Sequence, residues 1–114
     1  MAADCLFCNM ASGDMAVEKL HDDDVCFAIR DINPRAPVHI LVIPREHIAT
    51  VRDVGEEHGP LLGRMYAVAN ELAAAEGLAE RGYRLAFNVG DDAGQTVYHI
   101  HLHLIGGRRL GAEG

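Results

Sequence analysis

The sequence predicts an α+β fold: a mainly antiparallel sheet of about five strands, one long helix and one short N-terminal helix. Three observations predict it. Short apolar runs bounded by Gly, Pro and Asp read as strands at five places along the chain. Only one long segment, within residues 56–76, repeats apolar residues at helical spacing. The strands therefore outnumber the helices and do not alternate with them, as a parallel sheet would require. At 114 residues the chain has the size of a single domain, and no repeat or linker divides it.

Residues 5–11 suit a short helix that stops at Ser12-Gly13-Asp14. Val17–Leu20 and Val25–Arg30 read as a hairpin whose acidic tip is Asp22-Asp23-Asp24, a solvated turn with no assigned function. Asn33-Pro34 and Ala36-Pro37 enforce an extended connection, because a residue before proline avoids the helical region. Val38–Ile43 is apolar except for His39 and suits a buried strand closed by Pro44. In the long helix Leu61, Leu62, Met65, Val68, Ala69 and Leu72 fall on one face, and Gly77 stops it. Two starts compete: an Asp53/Glu56 capping box, or Pro60 in the first turn. Tyr83–Val89 and Val97–Ile105 complete the strands, on either side of a Gly90–Gly94 loop.

Lys and Arg number 10 against 17 Asp and Glu, a net charge of −7, so no basic face is expected and nucleic acid is excluded as a partner. A single small phosphate is not excluded, since a few local donors suffice for it. No apolar run is long enough for a membrane helix. The start carries no secretory signal, and three cysteines are an odd number for a disulfide framework. A reducing, cytoplasmic setting is the expectation.

Seven histidines are the feature that needs explaining. His99-Ile100-His101-Leu102-His103-Leu104-Ile105 alternates strictly, so on a strand the imidazoles share one face and Ile100, Leu102 and Leu104 the other. Two chemistries fit. His99, His101 and His103 could ligate one catalytic zinc with an open water position. Alternatively one ring is a nucleophile that its neighbours orient. The preceding loop, with Gly94, Gln95 and Thr96, offers backbone, amide and hydroxyl donors for phosphate oxygens. Cys5-x-x-Cys8 could serve zinc, redox chemistry or neither. A redox role would want a βαβ context that is absent, and zinc would need two further ligands, which histidines can supply. His21 and His58 have no evident partner and read as surface residues, and Cys26 as a small buried hydrophobe.

The run from Gly94 to Arg108, Gly-Gln-Thr-Val-Tyr-His-Ile-His-Leu-His-Leu-Ile-Gly-Gly-Arg, resembles the signature of the histidine triad (HIT) superfamily. It is most similar to the Hint branch of nucleoside phosphoramidate hydrolases. Leu6-Phe7, Asp31-Ile32-Asn33-Pro34, Ala36-Pro37-Val38-His39, Val42-Ile43-Pro44 and His47-Ile48 extend the resemblance over nearly the whole chain, residues 1–114 forming one HIT domain.

The resemblance implies that His101 attacks the α-phosphorus of a purine nucleoside 5′-phosphoramidate, giving a nucleotidyl-histidine that water cleaves. An imidazole of ordinary pKa near ~6.5 is mostly neutral at pH 7 and can act as that nucleophile. His103 and His39 would contact the phosphate, and His99 would orient His101 through its carbonyl. Thr96, with Gly94 and Gln95, would serve the phosphate or leaving group. Asp31 would accept from the ribose, Asn88 would lie near ribose and phosphate, and Leu6, Phe7 and Ile32 would wall the base. The resemblance also implies a structural zinc on Cys5, Cys8, His47 and His99, and a homodimer whose sheets join. The ligand would be AMP- or GMP-like. A nucleotide-sensing module with weak turnover is the alternative from the binding class. The family's C-terminal segment carries a tryptophan, and this sequence has none, so the resemblance does not define the leaving group.

Overall fold

The structure is a computed structural model that describes residues 4–114. Five strands form one antiparallel sheet: β1 (His21–Asp22), β2 (Cys26–Arg30), β3 (Val38–Pro44), β4 (Tyr83–Ala86) and β5 (Leu102–Gly106), in spatial order β1-β2-β3-β5-β4. Helix α1 (Leu6–Ser12) lies near the start of the chain and α2 (Gly59–Ala75) between β3 and β4. The α+β class and the five-strand expectation hold.

The alternation of side chains divides the core into two layers. Cys26 and Ala28 of β2, Val38, Ile40 and Val42 of β3, and Leu102 and Leu104 of β5 pack with Met65, Val68, Ala69 and Ala73 of α2. On the opposite face Phe27, Ile29, Leu41 and Ile43 pack with Phe7 and Met10 of α1. β3 is buried along its whole length, as the central strand of a two-sided sheet must be. His39 and His103 therefore belong to the α1 face by the same period of two that sends Leu102 and Leu104 to α2.

Several boundaries differ from expectation. The first strand is His21–Asp22, not Val17–Leu20, because Asp23 tightens the turn. Its Oδ1 accepts from the N–H groups of Val25 and Cys26 at 2.7 and 2.9 Å, so pairing begins beside the turn itself. The acidic tip is a structural knot: Asp23 also takes Arg64 of α2 at 2.8 Å and His21 at 2.6 Å. His21 is thus not partnerless, and neither is His58, whose ring accepts from the Gly55 N–H at 3.0 Å.

The Asp53/Glu56 box does not form. Short 3-10 turns at Val51–Asp53 and Glu56–His58 precede α2, and Pro60 sits in its first turn. The last strand begins at Leu102 and not at Val97. Pro44 ends β3 without a backbone N–H to give, and the His99 ring occupies its carbonyl at 2.7 Å, so the ladder cannot extend past Val42–Leu102. The Ile100 N–H turns to the Ile48 carbonyl instead, at 2.8 Å. β4 is correspondingly short, ending at Ala86 opposite His103.

Candidate active site

A cleft of about 280 Å³ opens on the α1 face, between α1, the turn after β2 and the segment leading into β5. His101 sits in it with its Nδ1–H donated to the His99 carbonyl at 2.8 Å. That bond fixes the tautomer and leaves the lone pair on Nε2. Phe7, 3% exposed, packs edge-on against the ring with centroids 5.1 Å apart, holding its plane. Burial lowers the His101 pKa, although the His99 carbonyl and the charge of Asp31 raise it. The ring is therefore a neutral, oriented imidazole at pH 7.

Beside it runs a relay of defined polarity. The Arg35 N–H donates to His39 Nδ1 at 3.1 Å, so His39 carries its proton on Nε2. That Nε2 lies 2.9 Å from His103 Nδ1 and 3.3 Å from Asp31 Oδ2. Accepting at Nδ1, His103 keeps its own proton on Nε2 as a donor for the cleft. Burial lowers the pKa of His39, and burial with the neighbouring His101 and His39 pushes His103 down to about 4. Asp31 does two things at once: Oδ1 caps the Asn33 N–H at 2.9 Å, and Oδ2 faces His39.

Leu6, Phe7, Asp31, Ile32, Asn88, Gly94, Thr96, His39, His101 and His103 all line the cleft. Ile32 is 91% exposed, an apolar side chain available to a flat ring. Gln95 is the exception. It is buried, with Oε1 accepting from the Gly90 N–H at 3.0 Å and Nε2 donating to the Ala49 carbonyl at 2.8 Å, so it shapes the loop and does not line the cleft. Arg35, Met10 and Arg30 also line the cleft and were not singled out in the sequence. For Arg35 the signal was present: an arginine four residues before His39 in a Pro-bounded turn.

His99 has left the face of the other two. Its ring is fully buried and points to a second cluster, with Nδ1 at 3.3 Å from Cys5 Sγ, 3.4 Å from Cys8 Sγ and 3.2 Å from His47 Nδ1. Cys8 Sγ lies 3.3 Å from His47 Nδ1. Since His99 Nε2–H is given to the Pro44 carbonyl, its Nδ1 presents a lone pair to the sulfurs. Two thiols and two imidazoles thus converge within 4.8 Å of one another, the donor set and spacing that suit tetrahedral zinc. The set places no ligand atom in the cleft. The alternative in which His99, His101 and His103 bind one catalytic zinc fails here, because the three rings form no common ligand group among the described residues. Asp31, His39 and His103 also approach one another, but the Nε2–H of His39 occupies the position a metal would need.

A neutral imidazole oriented by a carbonyl, with an imidazole donor beside it and a carboxylate at the rim, defines a class: proteins that handle a phosphate ester by histidine chemistry. The HIT domain family model matches residues 13–110, and the chain belongs to the HIT family. It is 49% identical over 111 residues to the purine nucleoside phosphoramidase of Escherichia coli strain K12, covering 97% of this chain and 93% of that protein. A crystal structure of a HIT family hydrolase from Legionella pneumophila Philadelphia 1 superposes with a TM-score of 0.92 at 50% identity, covering 94% of this chain and 96% of the other. A zinc-bound histidine triad family protein from Mycobacterium smegmatis superposes with a TM-score of 0.79 at 37% identity, over 95% of this chain and 78% of the other.

Proposed function

We propose that this protein hydrolyses purine nucleoside 5′-phosphoramidates, with His101 as nucleophile. The observation that carries the reading is the His101 Nδ1–H bond to the His99 carbonyl, which leaves an Nε2 lone pair in the cleft. Attack by Nε2 on the α-phosphorus forms a phosphorus–nitrogen bond and expels the amine. Water then cleaves the nucleotidyl-His101 and releases an AMP- or GMP-like nucleotide. The Nε2–H of His103 is suited to donate to a phosphate oxygen, and Thr96 and Gly94 flank the same region. Asp31 and Asn88 suit the ribose, and Leu6, Phe7 and Ile32 the base.

Cys5, Cys8, His47 and His99 would hold a structural zinc, which supplies a cross-link and no Lewis acid to the substrate. Cys5, Cys8 and Cys26 form no disulfide, and a reducing cytoplasm is the proposed setting. No helix among the described residues is long and apolar enough to cross a membrane. Residues 1–114 act as one domain, and β4, at the sheet edge, is available for a second copy to join the sheets of a homodimer.

His101→Ala should reduce turnover by about 10⁴-fold or more while AMP binding is retained. Quenching the wild type during turnover should trap the nucleotide on His101. Full activity in His101→Ala, or a label on another residue, would remove the mechanism.

A further inference from the structure

The cleft must accept an anion in a protein of net charge −7, yet its imidazoles bring no formal charge. His39 accepts a hydrogen bond from a backbone N–H, and His103 accepts one from His39, so both are neutral in this arrangement. Of the arginines that line the cleft, Arg30 is already bound through both terminal nitrogens to Glu76, at 3.2 and 2.9 Å. Arg35 is different. Its backbone is clamped at both ends, the N–H on His39 and the carbonyl on Arg108 Nη2 at 2.7 Å. Arg35 is exposed and lines the cleft, and its guanidinium makes no hydrogen bond or ion pair among the described residues. A fixed backbone with a free cationic head is suited to meet a ligand with little ordering cost beyond the side chain itself.

We propose that Arg35 is a specificity-determining residue of this site, its guanidinium taking an anionic oxygen of the substrate. That oxygen belongs either to the α-phosphate or to a carboxylate carried by the leaving amine. The inference rests on the phosphoramidase reading and adds the charge recognition that reading lacks. The fork of donors on a guanidinium fits both oxyanions, and a charge-assisted bond of this kind exceeds a neutral one.

The test compares wild type, Arg35→Gln and Arg35→Lys on two adenosine 5′-phosphoramidates, one of a neutral alkylamine and one of glycine. AMP affinity is measured by calorimetry and Tm is recorded for each protein. The backbone bonds of residue 35 do not depend on its side chain, so the variants should melt with the wild type. Arg35→Gln should lower kcat/KM roughly tenfold or more, with Arg35→Lys recovering part of it. An equal loss on both substrates, with weaker AMP binding, assigns Arg35 to the phosphate. A loss confined to the glycine compound assigns it to the leaving-group carboxylate. Values within about twofold of wild type on both substrates, with AMP affinity unchanged, would overturn the proposal. Should the wild type cleave neither compound, the hydrolase reading fails separately, and the affinities of the three proteins for AMP and for the two intact phosphoramidates decide the role of Arg35: values within about twofold for all three ligands overturn it.

Discussion

His39 and His103 show how much of this site depends on which ring nitrogen holds a proton. Each accepts at one nitrogen and keeps a proton on the other, so the polarity of the row runs from the Arg35 N–H into the cleft. Protonating His103 would remove its acceptor and set a charge in a buried place. Burial, with His101 and His39 next, pushes its pKa down to about 4, against an ordinary value near ~6.5. A group whose folded value is depressed contributes stability that is whole above its unfolded pKa and lost as pH falls toward the folded one. Resistance to urea should therefore decline between about pH 6.5 and about pH 4, and His103→Gln should decline by less over that interval. Equal declines in the two proteins would exclude His103 as the source. At this scale the sequence exposed the residue types and their spacing, but not the tautomers. Those depend on partners such as the Pro44 carbonyl and the Arg35 N–H, which no local pattern names.

Among the elements, α2 and β5 were the most legible. Leu102 and Leu104 meet Met65, Val68, Ala69 and Ala73, a contact readable from a period of two facing a period of 3.6. Met65, fully buried at that contact, is the side chain whose loss should be felt most: Met65→Ala should cost about 2–5 kcal/mol in urea unfolding with an unchanged m-value. A cost near zero would mean that α2 adds little to the sheet. Less legible was the stretch before β5. Strict alternation from His99 to His103 suggests one strand with three imidazoles on a face, yet His99 and His101 precede the strand. The ladder stops at a proline on the neighbouring strand, and the ring of His99 takes that proline's carbonyl. The interruption is what separates the roles: the His99 side chain faces Cys5 and Cys8 while its carbonyl still holds His101. At the first hairpin the turn outweighed the apolar run, because Asp23 gathers two backbone N–H groups, Arg64 and His21. Burial opposes the ionised form of Asp23, and those hydrogen bonds outweigh it and hold its carboxyl well below the usual range. Asp23→Ala should therefore loosen the β1–β2 turn and cost about 1–3 kcal/mol at neutral pH, read as a lower urea midpoint. An unchanged midpoint would show that the turn holds without the carboxylate.

For the whole molecule, the Cys5, Cys8, His47 and His99 cluster joins α1, the segment after β3 and the approach to β5. A metal there would tie three distant parts of the chain and anchor the carbonyl that orients His101. Zinc should copurify at one per chain. Chelation or Cys8→Ser should lower Tm by several degrees while turnover below the new melting point largely persists. A metal-free protein whose Tm ignores chelator would refute the assignment. The sequence by itself determined the face that Leu102 and Leu104 take, the long helix, the candidate nucleophile and the family, because alternation, helical spacing and motif order are local properties of the chain. The tertiary structure chose between the two readings of the His99 ring, setting it beside the cysteines, and it alone decided that Gln95 braces a loop and that the exposed Arg35 side chain has no hydrogen-bond or ion-pair partner among the described residues. Each of those outcomes depends on which hydrogen-bond partners lie within reach, and such partners come from segments as far apart as Cys5 and His99.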